Sequence, residues 1–430
     1  MVEKKKIQTP RGLKDVLPEE QKYWFHLENN FYAVAALAGF ERIILPTFEA
    51  TELFKRSVGE FTDIVSKEMY SFKDKSGNNL TLRPEGTAGI ARAYIEHGMH
   101  TLPQPVKLCY FGPMFRYDRP QAGRYREFYQ YGLEILGEDD PMVDAMLIQT
   151  VVRYYQKLGL GNFVVKINSL GSDRSKTKMI AALSRWLSAK KNELCADCKL
   201  RLRKNPLRVM DCKTAGCKSL LSHVGSILID SLDEESKKRF TKVLECLDEM
   251  KVEYELDPTL VRGLDYYTHT LFEVVVRGSD LAICGGGRYD NLIKQLGGLH
   301  TPAIGLAGGV ERTIEALKAQ GVVIPEPVKA ELFIVQLGDR AKAKATEVFE
   351  KLNAANFRVA TALGRGNIQA QLREANKLNC LLVVIIGDQE VHDKNVIVRD
   401  MKDRSQETII DRDVMRIVAK KLEEKGIRIS

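Results

Sequence analysis

No apolar run in this chain is long enough to span a bilayer; the longest, such as Leu381 to Ile386, fall far short of the ~20 residues a membrane helix needs. The basic N-terminal string MVEKKKIQTPRG has no apolar stretch behind it, which argues against a secretory signal, so a cytoplasmic location is expected. There is no internal repeat and no low-complexity tract. The glycine run Gly285, Gly286, Gly287 is not G-x-G-x-x-G and no βαβ unit surrounds it, which excludes a dinucleotide fingerprint. Cysteine is scarce, with eight in 430 residues, and disulfides are not expected in a reducing compartment. Four of the eight, Cys195, Cys198, Cys212 and Cys217, read C-x2-C-x13-C-x4-C. Zinc ribbons use similar spacing because four thiolates can then close a tetrahedron. The second pair is wider than the usual x2, however, and a chain this large folds without a staple. The four cysteines are therefore a zinc candidate, and no metal is assigned.

The length suggests two or three domains, and 44% hydrophobic with 28% charged residues is the composition of a globular protein with a sizeable core. The net charge of +8 permits a nucleic-acid partner without demanding one. It is concentrated: residues 171–220 hold 13 Lys and Arg against 4 Asp and Glu. That is either a phosphate-binding patch or a solvated helical face.

The stretch Tyr110 to Gly137 is the most informative. Two strand-like runs flank a tip holding Pro120 and Gly123. After Arg126 the pattern alternates with period two. Tyr129, Tyr131, Leu133 and Ile135 should face a core, while Phe128, Gln130, Gly132 and Glu134 form a platform for a flat polar ligand carrying positive charge. Arg116, Arg119, Arg124 and Arg126 crowd the loop and suit phosphate. A basic hairpin with a solvated face is the alternative. At Leu80 to Gly89, Arg83-Pro84-Glu85-Gly86-Thr87 reads as a strand-to-helix turn that exposes Glu85 and Thr87, with a capping role for Thr87 as the alternative. In DPTLVRGLDYYT, Asp257 to Thr268, Arg262 precedes a glycine that allows close approach to a ligand. Tyr266 and Tyr267 offer phenols, or simply core.

In chain order, a helix is expected over Glu19 to Leu37, stopped by Gly39, then a strand FERIILPTFE at an edge because of Pro46. Residues 172–250 read as a helical, basic insertion. Residues 321–330 read as a proline-spaced linker separating domains 1–325 and 326–430. In the second domain strands are expected over 332–337, 357–363, 381–386 and 395–399, and helices over 342–353, 368–378 and 412–425. The fold class is α/β: an antiparallel sheet with helices, a helical insertion and a C-terminal α/β domain.

The string FR, a loop, then RYREF with Gln130 and Glu134 following, resembles the second signature motif of class II aminoacyl-tRNA synthetases. Together with LVRGLDYYT it closely resembles the histidyl-tRNA synthetase family, over nearly the whole chain. The resemblance implies that histidine and ATP form histidyl-adenylate and that the histidyl group passes to the 3′ end of tRNA(His), with Mg2+ on the phosphates. It implies that Glu85, Thr87 and Gln130 hold the amino acid's ammonium group, with Gly86 also in the histidine site. Glu134 would face the ring opposite Tyr267, beside Tyr266 and Tyr289, on a floor made by the glycine strand. Arg262 and Arg116 would be the catalytic cations, with Arg262 on the α-phosphate. Arg124 would bind ATP, Phe128 would stack on adenine, and Arg312, in a string like the third class II motif, would cover the nucleotide. Arg119 and Gln121 would read an extra guanosine at the tRNA 5′ end. The first helix and the proline-bearing strand would build a homodimer interface, the insertion would reach toward the acceptor arm, and the last domain would bind the anticodon. Two alternatives stand beside this: a non-catalytic regulatory paralogue that binds histidine, and a class II synthetase for another amino acid.

Overall fold

The alternation after Arg126 makes one strand, Glu127–Leu136, the organiser of an eight-stranded sheet in a computed structural model. The structure describes residues 6–59, 62–118, 124–279, 282–325, 330–362, 364 and 367–426. This strand lies between Val106–Phe115 and Ala303–Gly309, antiparallel to both. Beyond Ala303–Gly309 come Ala282–Arg288, Thr268–Val276, Phe163–Ser169 and Tyr254–Leu256, while Glu41–Arg42 forms the opposite edge. Among the described residues of this sheet, only the two edge strands pair in parallel. Tyr131, Leu133 and Ile135 bury on one face with Leu27 and Phe31 of the helix Gln21–Leu37 and with Val151 and Tyr154 of Pro141–Leu158. Tyr129, at the rim of that core, meets Trp24 edge-on with ring centroids 4.9 Å apart. A buried ion pair ties helix to sheet: Arg288 Nε donates to Asp144 Oδ1 at 2.7 Å, and Thr270 Oγ1 donates to Asp144 Oδ2 at 2.6 Å. Losing one partner of such a pair would leave the other charged and unsolvated.

Two expectations are corrected. FERIILPTFE is not one strand. Glu41–Arg42 stays at the edge of the large sheet, and Phe48–Ala50 pairs with Asn79–Leu82 in a separate three-stranded sheet. Pro46, with no N–H to give, stands where the chain leaves one sheet for the other. The last helix of residues 172–250, Glu234–Glu249, is part of the main core: Val243, Cys246 and Leu247 bury in the cluster that holds Tyr131 and Leu133. Its apolar positions recur at helical spacing, so it packs as one stripe against the core. The helices between Asp173 and Asp230 bury mainly with the opposite side of the sheet, in the cluster that holds Tyr110, Tyr266 and Tyr267.

The chain divides into two compact units, Met1–Ile324 and Pro325–Ser430. The second is a five-stranded sheet in the order Val359–Thr361, Leu332–Leu337, Leu382–Gly387, Asn395–Asp400, Gln406–Ile410, parallel in its first three strands and antiparallel in the rest. Helices Asp339–Ala354, Ile368–Lys377 and Val414–Glu424 cover it. Strand Gln406–Ile410 is absent from the expectation above. Four of its five residues are exposed, so an edge strand of this kind carries no apolar alternation. The large sheet of the first unit is close-packed at its glycines. A Cβ on Gly286 would run into the Gly305 carbonyl and stand 2.8 Å from Leu306 Cα.

Because that obstruction is backbone, Gly286→Ala should cost about 1–3 kcal/mol, read as a lower midpoint in chemical denaturation of the full chain. An unchanged midpoint would show that neighbouring strands separate freely there.

Candidate active site

The turn after Asn79–Leu82 leads into the helix Thr87–Glu96, whose first N–H groups have no partner inside the helix. Glu85 supplies one, accepting from Thr87 N at 2.7 Å and Ala88 N at 2.8 Å. Thr87 is therefore not the cap. Its Oγ1 donates to Glu134 Oε1 at 2.8 Å, and Tyr289 OH donates to Glu134 Oε2 at 2.5 Å. Glu134 is fully enclosed, and burial pushes its pKa up to about 8. Burial likewise raises Glu85. The ring of Tyr110 fills the space left by Gly86 and Gly132, where a methyl on either glycine would collide with it.

A cavity of about 670 Å³ opens on this layer. Arg116 Nε donates to the Pro84 carbonyl at 2.8 Å, and its guanidinium lies 5.3 Å from the centre of the Phe128 ring. Arg124 pairs with Asp118 at 3.0 Å, and Arg312 Nη1 donates to the Ala282 carbonyl at 3.0 Å. Arg262 pairs with Glu273 and lies over Gly285, where a methyl would come within 2.5 Å of its Cζ. Burial lowers the pKa of Arg312, and the like charges of Arg124, Arg116 and Arg262 lower it further. So many guanidinium groups around one space suit a polyanion. Tyr266 and Tyr267, rings 4.7 Å apart, are kept neutral by burial and can both donate and accept. Lys176 fixes their loop, donating to the carbonyls of Asp265 and Tyr267 at 2.9 Å each. Among the described residues, Gln130 Oε1 and Arg262 Nε are buried without a hydrogen-bond partner, which is how atoms meant for a ligand present themselves.

Ten of the residues that the resemblance assigns to histidine or ATP meet on this wall: Glu85, Thr87, Arg116, Arg124, Phe128, Gln130, Arg262, Tyr266, Tyr267 and Arg312. Gly86, Glu134 and Tyr289 do not line it; they form the layer behind. Glu134, which the resemblance would set facing the ring, has its two oxygens taken by the Thr87 and Tyr289 hydroxyls. Strand alternation fixes the face a residue occupies, but Thr87 from another element covers this one. Arg119 and Gln121 lie outside the described residues. Missed altogether were Glu68, Glu273, Arg208 and Asp211, which share the wall. Only Glu273 left a signal, as the lone carboxylate in the apolar strand Thr268–Val276.

A sequence family described as histidyl-tRNA synthetase matches residues 12–313, and one described as anticodon binding domain matches residues 331–421. The histidine–tRNA ligase of Caldicellulosiruptor saccharolyticus is 45% identical over 406 residues, covering 94% of this chain and 97% of the relative. That of Listeria innocua is 42% identical over 424 residues, covering 97% and 100%. The crystal structure of apo histidyl-tRNA synthetase from S. aureus superposes with a TM-score of 0.81 at 36% identity, covering 96% of this chain and all of that one.

The raised pKa of Glu134 has a consequence for stability. The unfolded chain ionises this carboxyl near its ordinary 4.5, but the folded chain only near about 8. Between those values the folded state holds the extra proton, so its stability falls as pH rises through the window and changes no further above it. Glu134→Gln cannot ionise. Its melting temperature relative to wild type should climb from pH 4.5 to about 8 and then level, measured by calorimetry across that range. A difference independent of pH would show that Glu134 is ionised throughout.

Proposed function

We propose a division of work for this cavity from one premise: the chain belongs to the histidyl-tRNA synthetase family. It is an ATP-dependent histidine–tRNA ligase, with histidine, ATP and tRNA as substrates and an anticodon-binding domain at its C-terminal end. Neither a regulatory subunit nor a synthetase for another amino acid is favoured by these relatives. In the first step an oxygen of the histidine carboxylate attacks the α-phosphorus in line, and the bond to pyrophosphate breaks. The attacking carboxylate is already ionised, so no general base is required, and rate comes from positioning and charge stabilisation. In the second step a terminal ribose hydroxyl of the tRNA attacks the acyl carbon and AMP leaves.

The observation that carries the reading is the meeting of Arg262 with Glu85, Thr87 and Gln130 on one wall. We assign the ammonium group to Glu85, Thr87 and the unpartnered Gln130 Oε1, and the α-phosphate to Arg262 and Arg116. Adenine stacks on Phe128, and Arg124 and Arg312 hold the outer part of the nucleotide. The imidazole is read by Tyr267 and Tyr266. Glu134, through Thr87 and Tyr289, fixes that end of the site from behind. Magnesium prefers hard oxygen donors, and the wall's Glu68 and Glu273 carboxylates fit that chemistry. When bound it would neutralise phosphate charge. Leu37, Ile44 and Phe48 are more than half exposed on the first helix and the segment after it, which supports a homodimer interface there. The basic insertion suits the acceptor arm, Arg119 and Gln121 are assigned to an extra 5′ guanosine, and a cytoplasmic location is in keeping with the absence, among the described residues, of a helix able to cross a membrane.

Pyrophosphate exchange should depend on histidine and on no other amino acid; exchange with another would overturn the specificity. Arg262→His should slow exchange by about 10²–10³-fold with the histidine KM little changed, and a wild-type rate would remove Arg262 from the mechanism. Glu134→Ala should raise the histidine KM about tenfold or more while barely moving the ATP KM. Equal effects on both would contradict its place at the imidazole end.

A further inference from the structure

The reading above leaves one cluster without a role. Cys195 precedes the helix Ala196–Lys204, Cys198 sits in its first turn, Cys212 follows the short turn Pro206–Val209, and Cys217 sits in the helix Ala215–Leu221. Their four sulfurs lie within 4.8 Å of one another, and the Cys195 and Cys212 sulfurs are 3.8 Å apart. Sulfurs bound at about 2.3 Å to a central tetrahedral ion stand about 3.8 Å from each other, whereas a disulfide needs about 2.05 Å. All eight cysteines are free. As neutral thiols, four sulfurs this close, three of them on buried residues, make only weak hydrogen bonds, and as thiolates they repel. A dication resolves both. The Cys195 N–H also donates to the Cys217 sulfur at 3.4 Å, a backbone contact that favours a thiolate there.

The wide C-x4-C spacing is explained by the fold. Cys212 lies before the helix Ala215–Leu221 and Cys217 inside it, so the extra residues span the entry into that helix. Helices as short as this one and Ala196–Lys204 are marginal alone, and a closed metal site fixes both.

We propose that Cys195, Cys198, Cys212 and Cys217 bind one Zn2+ as a closed, structural site that braces the insertion against the mouth of the active-site cavity. Between the second and third ligands run the residues that make this contact. Arg208 donates to Asp63 Oδ2 at 3.0 Å and pairs with Asp211 at 3.2 Å, and Asn205 Nδ2 donates to Asp265 Oδ1 at 2.8 Å, immediately before Tyr266. With four protein ligands no position remains for substrate, so the ion is not a reactant.

The test is metal content, which is independent of the amino acid activated. Full-length protein purified without chelator should carry about one zinc per chain by elemental analysis. Cys198→Ser and Cys217→Ser should lose it, and Cys380→Ser, from the other unit, should keep it. Independently of how the ligand variants fold, wild-type protein produced with cobalt should show the strong visible bands of a tetrahedral cobalt–thiolate site. Extraction of the metal should lower histidine-dependent exchange several-fold, and added Zn2+ but not Mg2+ should restore it. Protein without zinc that also fails to retain supplied zinc through desalting would overturn the proposal. So would iron in its place, or zinc that stays bound in folded Cys198→Ser.

Discussion

The register of the strand Glu127–Leu136 is the constraint on which the first unit depends. Paired on both sides, it cannot slip by one residue without sending Tyr131, Leu133 and Ile135 into the site and Gln130 and Glu134 into the core. Either exchange would bury polar groups without partners. The pairing also sets the glycines: Gly305 stands opposite Glu134 and Gly308 opposite Tyr131, each leaving room for the side chain across from it. One geometric choice thus builds the core on one face and the polar layer on the other.

That polar layer is costly in isolation and is held by its neighbours. Glu134 is enclosed but accepts two hydroxyl donors, and Glu85 is enclosed but accepts two backbone donors. Arg262 has Glu273, and the Tyr266–Tyr267 loop has Lys176. Among the atoms left without a partner are Gln130 Oε1 and Arg262 Nε, which the mechanism given above assigns to the histidine ammonium group and the α-phosphate of ATP. Such a site is ordered before substrate arrives, and binding energy is then available for positioning.

The strongest signals in the sequence were local and periodic. Alternation after Arg126, the helix ending at Gly39, and the strand–helix succession after Leu332 all carry their geometry within a few residues. Depth and distance were not legible. Nothing near Glu134 says that Thr87 will cover it, and nothing near Arg208 or Asp211 says that they reach the same wall as Arg262. The split of FERIILPTFE followed from Pro46, but the joining of Phe48–Ala50 to a second sheet depended on Asn79–Leu82, about thirty residues away. The cysteine spacing left zinc undecided, because only the fold sets how far apart the sulfurs lie. The family resemblance was legible because its motifs are contiguous strings, and the matched families at residues 12–313 and 331–421 cover most of the chain.

The central claim is that an amino acid and a nucleotide are held side by side on this wall, the first by Glu85 and Gln130 and the second by arginines. The most direct measurement is a crystal structure with histidine and a non-hydrolysable ATP analogue. The account predicts the ammonium group at Glu85, Thr87 and Gln130, the α-phosphate on Arg262 and Arg116, and the ring toward Tyr266 and Tyr267. Nucleotide bound elsewhere, or Arg262 turned away from the phosphate, would contradict it.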